Sequence, residues 1–165
     1  MPTSPYILGL REKVGHQRLL LPSVSVHIFD GARRLLLVRL RDHGQWSTPG
    51  GAIEPDELPA DAAVREAWEE TGLVVRPHRL LGAYGGPHCV VQYPNGDETQ
   101  YVIIAIGCTV IGGTATADQD ETLELRYCSE PEAARLNLTP WLRAHLRVVY
   151  AGDDGPGFEP SKWRP

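Results

Sequence analysis

The stretch GGAIEPDELPADAAVREAWEETGL, residues 50–73, carries most of the structural and chemical information in this chain. A glycine pair opens it, and glycine lets the backbone turn through positive φ or approach a ligand closely. Pro59 suits the first turn of a helix, which needs no amide donor, and no breaker follows until Gly72. A glycine at that place typically ends a helix in the left-handed conformation. The stretch therefore predicts a glycine-rich loop followed by a helix of about three turns from Pro59 to Thr71.

Three glutamates share one face of this predicted helix. Glu66, Glu69 and Glu70 stand at positions i, i+3 and i+4, within an arc of about 100°. Carboxylates this close repel one another, which raises at least one pKa unless a cation neutralises them. The hard divalent ions Mg²⁺ and Mn²⁺ prefer such oxygen ligands. A solvated acidic surface is the commoner reason for neighbouring glutamates, so the interpretation depends on the spacing of the other residues.

That spacing follows a single template. The fixed positions are Gly51, Glu57, Arg65, Glu66, Glu69, Glu70 and Gly72. At roughly 6% usage per residue type, these identities arise by chance on the order of 10⁻⁹ times per register. The stretch closely resembles the Nudix hydrolase signature G-x5-E-x7-R-E-U-x-E-E-x-G-U, in which U is a bulky aliphatic residue. On this motif the chain is identified as a member of the Nudix hydrolase family.

Two positions depart from the signature. Ala67 fills a U position with a smaller apolar side chain, which should cost packing and not chemistry. Asp56 stands just before Glu57, where the family usually has glycine. Aspartate tolerates left-handed and turn geometry better than most residues, so we expect the loop to form. The added negative charge of Asp56 is the one feature that argues against full activity.

The resemblance implies both a fold and a reaction. The implied fold is α/β, a Nudix-type α/β/α sandwich with a mixed β-sheet. The implied reaction is metal-dependent hydrolysis of the pyrophosphate linkage in a nucleoside diphosphate linked to a further moiety X. ADP-ribose and nucleotide sugars are the first candidate substrates, and Pro87 lies one residue short of the place where ADP-ribose-cleaving relatives carry a proline. The alternatives are pyrophosphohydrolysis of nucleoside triphosphates, including oxidised ones, and a sensor that binds nucleotide without cleaving it.

The resemblance also assigns roles to the motif residues. Mg²⁺ or Mn²⁺ would be held by three carboxylates and one backbone carbonyl, those of Glu66, Glu69, Glu70 and Gly50. Glu66 is also the candidate general base. Glu57 would support the ion directly or through a neighbour, and Arg65 would hold a glutamate in place by a salt bridge.

Further site residues are expected outside the motif. Arg39 and Arg41 alternate with apolar residues on a predicted strand. They are either solvated or salt-bridged, or they meet the pyrophosphate, since guanidinium pairs bidentately with phosphate oxygens. Family members often use an additional acid from another loop. The candidates are Glu121, which we favour, its neighbour Asp120, and the pair Glu98 and Asp97.

Aromatic side chains are candidates for stacking on the base or binding its edge, although each can equally be structural. They are Tyr84, His88, Tyr93 and Tyr101. Tyr84, Arg39, Arg41 and Glu121 are our substrate-binding predictions.

Composition bounds the function. A chain of 165 residues with 42% hydrophobic content predicts one domain at residues 1–150 and a tail at 151–165. The net charge of −5 argues against a general nucleic-acid surface and favours a small nucleotide as the partner. Three cysteines without metal-ligand spacing indicate reduced thiols and a cytoplasmic location. We expect no membrane segment, because the chain shows neither a signal pattern nor an apolar run of about 18 residues.

The rest of the chain predicts further elements. A helix at about residues 5–16 packs either on its own domain or on a second subunit, and similar helices open many compact Nudix proteins that form homodimers. Asp30-Gly31 predicts a hairpin between strands at 19–29 and 34–41. Pro77 should separate short strands at 73–75 and 79–84. We further expect a hairpin at 89–110, a strand at 122–127, helices near 130–138 and 140–150, and a flexible tail anchored by Phe158 or Trp163.

Overall fold

Two β-sheets form the frame of the molecule in the computed structural model, which describes residues 4–151 and 157–158. The strands are β1 (Leu19–Ile28), β2 (Leu35–Leu40), β3 (Trp46–Ser47), β4 (Leu73–Tyr84), β5 (Val90–Gln92), β6 (Glu98–Gly113), β7 (Thr122–Cys128) and β8 (Gly157–Phe158). The helices are α1 (Pro5–Val14), α2 (Pro59–Thr71), α3 (Glu130–Ala133) and α4 (Pro140–Ala151), with a 3₁₀ turn at Pro87–Cys89.

The first sheet is mixed, as expected from the family resemblance. Its strand order is β1-β6-β4-β8, and β5 also pairs with β6. β1 runs parallel to β6, from Leu19 opposite Thr99 to Ile28 opposite Cys108, whereas β4 is antiparallel to β6. The second sheet has the order β3-β2-β7 and is antiparallel throughout.

Helices α2 and α4 lie on opposite sides of these sheets. Ala67 of α2 packs in one apolar cluster with Val26 of the first sheet and Leu36 of the second. Leu142 of α4 packs in the other cluster, with Leu37 of the second sheet and residues of the first. The α/β/α arrangement is therefore confirmed, and small alanines let α2 lie close to the strands that it covers.

The predicted hairpin at Asp30-Gly31 is wrong. β1 and β2 belong to different sheets, and within the described part of the chain a single bridge from Phe29 to Leu35 joins them at the turn. Both edges of β1 have other partners: β6 on one side and the motif loop on the other, where the amide of Val24 donates to the carbonyl of Gly51. Asp30-Gly31 indicates that the chain turns, but the strand that pairs with β1 is β6, which lies much later in the sequence.

The predicted break at Pro77 is also wrong. β4 continues through it from Leu73 to Tyr84, with a shift of register between Pro77 and Arg79. A bulge and an open edge both tolerate a residue that lacks an amide donor. The far edge of β4 pairs with β8 only at Gly82 and Ala83 in the described residues, so Pro77 removes no hydrogen bond there.

Arg11 ties helix α1 to the start of β6. Ser4 caps its first turn by accepting a hydrogen bond from the amide of Ile7. Arg11 Nη2 donates to the carbonyl of Glu98 at 2.8 Å and to Thr99 Oγ1 at 2.9 Å, at the start of β6. The helix thus packs on its own domain, and its place in a homodimer stays a prediction.

The chain after α4 is described only at Gly157 and Phe158, whose backbone forms β8 beside β4. The remainder of the predicted flexible tail, including Trp163, lies outside the described residues. Among residues 4–151 and 157–158, no helix is both long and apolar enough to span a membrane.

Candidate active site

The motif loop lies flush against the edge of β1. The amide of Val26 donates to the carbonyl of Pro49 at 2.8 Å, and that of Val24 donates to Gly51 at 2.9 Å. Gly50, between them, has φ +152°, and a Cβ there would stand 2.2 Å from the carbonyl oxygen of Val24. Only glycine fits this approach of two backbones, which explains the first half of the glycine pair.

Helix α2 brings two of its glutamates to this loop. It spans Pro59 to Thr71 and ends at Gly72 with φ +67°, as the sequence predicts. Glu66 and Glu70 are only 6% and 4% exposed, because the helix lies close to the sheets. The amide of Gly50 donates to Glu70 Oε2 at 3.1 Å.

The second glycine of the pair makes room for a carboxylate. A Cβ on Gly51 would stand 2.4 Å from Glu66 Oε1 and 2.7 Å from its Cδ, so any other residue type would require the Glu66 carboxylate to move. The loop and the helix therefore form one unit, in which two backbone positions meet two buried carboxylates.

Arg65 ties the helix to the loop that precedes it. Its Nε and Nη2 donate to both carboxylate oxygens of Glu57, at 2.8 and 2.9 Å. Its Nη1 donates to Glu66 Oε1 at 2.7 Å and to Glu69 Oε2 at 3.1 Å, while Nη2 also reaches the carbonyl of Ala52 at 3.0 Å. One guanidinium thus contacts three of the predicted acidic site residues.

Burial and mutual repulsion perturb these carboxylates. Desolvation raises the pKa of Glu70 well above its ordinary value, and the charge of Glu66 adds to the effect. Desolvation also raises the pKa of Glu66, although the hydrogen bond from Arg65 opposes it. The pKa of Glu57 is instead lowered, chiefly by its hydrogen bonds from Arg65. The site therefore holds buried negative charge that a bound cation would stabilise.

The donor set fits a hard divalent cation. All the proposed ligands are oxygen donors: the carboxylates of Glu66, Glu69 and Glu70 and the carbonyl of Gly50. Because Gly51 has no side chain, the space beside the Glu66 carboxylate stays open. Within the described residues, no three acidic, histidine or cysteine side chains already converge closely enough to hold an ion. Arg65 instead binds one oxygen each of Glu66 and Glu69.

Asp118 is an acidic residue near this cluster that sequence reasoning missed. Its charge contributes to the raised pKa of Glu70, so the two carboxylates lie within electrostatic reach. Its Oδ1 accepts hydrogen bonds from the amides of Asp120, Glu121 and Thr122, at 3.1, 3.2 and 2.8 Å. Aspartate often accepts hydrogen bonds from amides a few residues further on in a turn, a signal that both Asp118 and Asp120 carry in the sequence. The role of the favoured Glu121 stays a prediction.

The other acidic pair considered from the sequence lies against α1 and the strand after it. Glu98 forms an ion pair with Arg18, and Asp97 pairs with His16 at 2.7 Å and with Arg11 at 3.4 Å. Both carboxylates therefore already hold the N-terminal segment to the β5–β6 hairpin.

The structure gives the predicted substrate-binding arginines local partners. Arg41 donates from Nε to the carbonyl of Asp120 at 2.9 Å and from Nη2 to that of Gln119 at 2.5 Å, so it supports the loop that contains Asp118. Arg39 pairs with Glu124 at 3.2 Å. A role for either arginine in binding phosphate stays a prediction.

The four aromatic candidates have different surroundings, and His88 is exposed in the 3₁₀ turn. Tyr84 is buried in the core, with its ring 4.7 Å from that of His145, and offers little surface to a ligand. Tyr93 and Tyr101 share a hydrogen bond between their hydroxyls at 2.7 Å. Burial, followed by Tyr93 and then the charge of Glu66, raises the pKa of Tyr101, which associates this pair with the carboxylate site.

Two proteins with related sequences are named for the hydrolysis of nucleotides or nucleotide derivatives. A putative 8-oxo-dGTP diphosphatase from Bacillus subtilis is 33% identical over 104 residues, which is 63% of this chain and 63% of that protein. The match thus spans less than two thirds of that relative. An ADP-ribose pyrophosphatase from Methanocaldococcus jannaschii is 33% identical over 121 residues, 71% of this chain and 68% of that protein.

Solved structures share the fold. A UDP-X diphosphatase superposes with a TM-score of 0.69 at 22% identity, covering 94% of this chain and 74% of that one. The MutT protein from Methanosarcina mazei Go1 gives a TM-score of 0.64 at 21% identity, covering 84% of this chain and 98% of that one. The family model described as the NUDIX domain matches residues 19–149, from β1 almost to the end of α4. The chain therefore belongs to the NUDIX domain family.

Proposed function

We propose that this chain is a metal-dependent hydrolase that cleaves the pyrophosphate linkage of a nucleoside diphosphate linked to a moiety X. The observation that carries this proposal is the burial of Glu66 and Glu70 against the Gly50-Gly51 backbone. Buried carboxylates are costly unless a cation or several hydrogen bonds compensate them. Two relatives named for diphosphatase or pyrophosphatase activity support the same reaction class.

The residues of α2 would hold the ion. Glu66, Glu69, Glu70 and the carbonyl of Gly50 are its proposed ligands, and Mg²⁺ or Mn²⁺ is the ion that these donors suit. Such an ion supplies charge neutralisation at the phosphate oxygens and lowers the pKa of a bound water. Because Arg65 occupies Glu66 Oε1, Glu66 Oε2 is the atom that we propose accepts a proton from the attacking water.

The remaining groups would position these carboxylates. Glu57 fixes the plane of the Arg65 guanidinium by binding two of its nitrogens, and Arg65 in turn sets the directions of Glu66 and Glu69. We propose that Asp118 is the additional acid from outside the motif, since its charge reaches Glu70. Its hydrogen bonds from the amides of Asp120, Glu121 and Thr122 hold it in place.

Two substrate classes are proposed. ADP-ribose or a nucleotide sugar is our first proposal, supported by the relative named ADP-ribose pyrophosphatase. An oxidised nucleoside triphosphate is the second, supported by the relative named 8-oxo-dGTP diphosphatase. The presence of every motif glutamate argues against a sensor that binds nucleotide without cleaving it.

A substrate panel tests the proposal. The protein is incubated with Mg²⁺ or Mn²⁺ and ADP-ribose, nucleotide sugars, dinucleoside polyphosphates or nucleoside triphosphates, and the products are separated by chromatography. We expect two phosphomonoesters from ADP-ribose or a nucleotide sugar, and none in the presence of EDTA. Release of pyrophosphate from a triphosphate would instead support the second substrate class. Binding without turnover across the whole panel would contradict the hydrolase and favour the sensor.

A further inference from the structure

A row of three hydrogen-bonded polar side chains lies in the interior, behind the motif loop. Thr48 Oγ1 is 2.7 Å from Ser25 Oγ, which is 3.0 Å from His27 Nε2. The exposed fractions of Thr48, Ser25 and His27 are 5%, 4% and 2%. Apolar side chains at these positions would avoid the cost of burying polar groups, so the row requires a specific explanation.

The row of side chains reaches the motif loop at Thr48, next to the loop residues whose backbone is hydrogen-bonded to β1. Side chains alternate along β1, so that Val24 and Val26 face the α2 cluster while Ser25 points to the other side. The amides of Val24 and Val26 bind the carbonyls of Gly51 and Pro49. The contact from Ser25 to Thr48 is therefore a third tie, made by a side chain between two backbone ties.

These ties enclose the part of the loop that meets the carboxylates. Gly50 lies between Pro49 and Gly51, and its amide donates to Glu70 Oε2 at 3.1 Å. A small rotation of the loop would therefore change both the direction of the Gly50 amide and the position of the Gly50 carbonyl. Misplacement of about 1 Å in a site can cost about a hundredfold in rate.

His27 is the inner end of the row, and its Nδ1 is buried without a hydrogen-bond partner among the described residues. Its imidazole is fully buried near the ring of Trp141, at 6.2 Å between centroids, and burial lowers its pKa to about 4. The ring is therefore neutral near pH 7, and its Nε2 forms one hydrogen bond with the hydroxyl of Ser25. A serine hydroxyl rotates to suit its partners, so without His27 the direction of the Ser25 hydroxyl is set by Thr48 alone, and the link from Thr48 to the core is lost.

We propose that His27 is a positioning residue, which acts through Ser25 and Thr48 to hold loop residues 48–51 and thereby the backbone of Gly50 at Glu70. The inference rests on the proposed function, because Gly50 and Glu70 matter for rate only if they belong to a hydrolytic site. It adds a residue that lies outside the motif and on the opposite face of β1 from α2.

Matched variants test the role of His27 in turnover. His27→Leu removes the hydrogen bond, whereas His27→Gln keeps a nitrogen at the same distance along the side chain. Ser23→Ala is the control, since Ser23 is a buried hydroxyl on the same face of β1 whose contact with the carbonyl of Val102 is 3.5 Å long. We expect His27→Leu to lower kcat about tenfold or more with little change in KM. His27→Gln should restore most of the rate, and Ser23→Ala should match the wild type.

Amide hydrogen exchange supplies a readout that needs neither metal nor substrate. In metal-free protein, His27→Leu should speed exchange in residues 48–53 while the free energy of unfolding measured in urea stays near that of the wild type. Thr48→Val is a milder variant with the same expected effect, and the double variant should be no slower in turnover than His27→Leu, because both changes break one network.

The possible failures are distinguishable. Wild-type protein without turnover would contradict the proposed function. An active wild type in which His27→Leu turns over and exchanges like Ser23→Ala would overturn the positioning role alone. Loss of unfolding free energy in His27→Leu with kcat unchanged would also overturn it, as would equal rates in the Leu and Gln variants.

Discussion

The chemistry at the scale of single residues follows from how deeply each carboxylate is buried. Glu70 is 4% exposed and accepts one backbone hydrogen bond, whereas Glu57 lies nearer solvent and is bound by two nitrogens of Arg65. The pKa of Glu70 is consequently raised and that of Glu57 lowered. Residues of the same type therefore differ in their electrostatic surroundings: Glu57 is paired with Arg65, whereas the buried charge of Glu70 is opposed by desolvation and by Glu66.

Replacing Glu70 should separate activity from stability. Glu70→Gln removes a buried charge but keeps an oxygen for the amide of Gly50, so the free energy of unfolding should hold or rise. Turnover should fall by more than the tenfold to hundredfold that is typically lost when a partner of a metal ligand is removed. Urea unfolding and steady-state kinetics measure both effects. Asp61→Asn is the control, because Asp61 is an exposed acid in the first turn of the same helix; wild-type rates in Glu70→Gln would remove Glu70 from the site.

Asp118 and Glu121 should differ when each is neutralised. Asp118→Asn keeps the oxygen that accepts the loop amides but removes the charge that reaches Glu70. We expect it to lower kcat about tenfold to a hundredfold, with Glu121→Gln close to the wild type. Steady-state kinetics at saturating Mg²⁺ compares the two variants. A larger loss in Glu121→Gln would restore the original sequence-based choice.

His27 should make stability depend on pH. Its pKa is about 4 in the folded state, because burial disfavours the charged ring, and near 6.5 when unfolded. Between these values the unfolded state binds more protons, so the free energy of unfolding falls as pH is lowered through this window, by up to about 3 kcal/mol. Urea titrations between about pH 4 and pH 7 should show a smaller fall in His27→Leu. Equal slopes in the two proteins would mean that His27 is not buried as described.

At the scale of elements, the ends of α2 decide where its glutamates lie. Gly72 ends the helix with φ +67°, and a Cβ there would stand 2.7 Å from the carbonyl oxygen of Thr114. Gly9 in α1 is the opposite case, since a Cβ there would meet nothing within 4 Å. The same substitution should therefore have opposite effects in the two helices.

We expect Gly72→Ala to lower the free energy of unfolding by about 1–2 kcal/mol or more, because a left-handed conformation is strained for alanine and the new methyl group collides with backbone. Gly9→Ala should raise it by up to about 1 kcal/mol, because alanine is the better helix former. Urea unfolding of both variants gives the comparison. A neutral Gly72→Ala would show that the helix ends by another route.

The elements also show which structural information is local. The bounds of α2 were predictable because the signals that start and end the helix, Pro59 and Gly72, belong to the segment itself and no helix-breaking residue lies between them. The partner of β1 was not, because β6 lies some 80 positions later and Asp30-Gly31 reports only the turn. The same limit applies to the site: motif spacing predicted Arg65 and its glutamates, whereas Asp118 and His27 reach the loop and the cluster only through the tertiary fold.

At the scale of the whole molecule, the two faces of β1 connect the core to the site. One face packs under α2, which carries the glutamates, and the other carries Ser25 and His27 toward α4. The edge of β1 holds the motif loop. This placement explains why a single strand contributes to packing, to loop geometry and to the environment of the carboxylates.

The free energy of the whole fold should therefore respond to a divalent ion. An ion that binds only the folded state stabilises it by about 2.7 kcal/mol at a hundredfold excess over its Kd, which for a domain of this size raises Tm by several degrees. Because protons compete with the ion for Glu66 and Glu70, whose pKa values are raised, the increase should be larger near pH 8 than near pH 6. Calorimetry with Mg²⁺, Mn²⁺ or EDTA measures it for the wild type and Glu70→Gln. An equal increase in both proteins would place the bound ion elsewhere on the molecule, whereas an increase confined to the wild type would tie the stability of the fold to the carboxylates of α2.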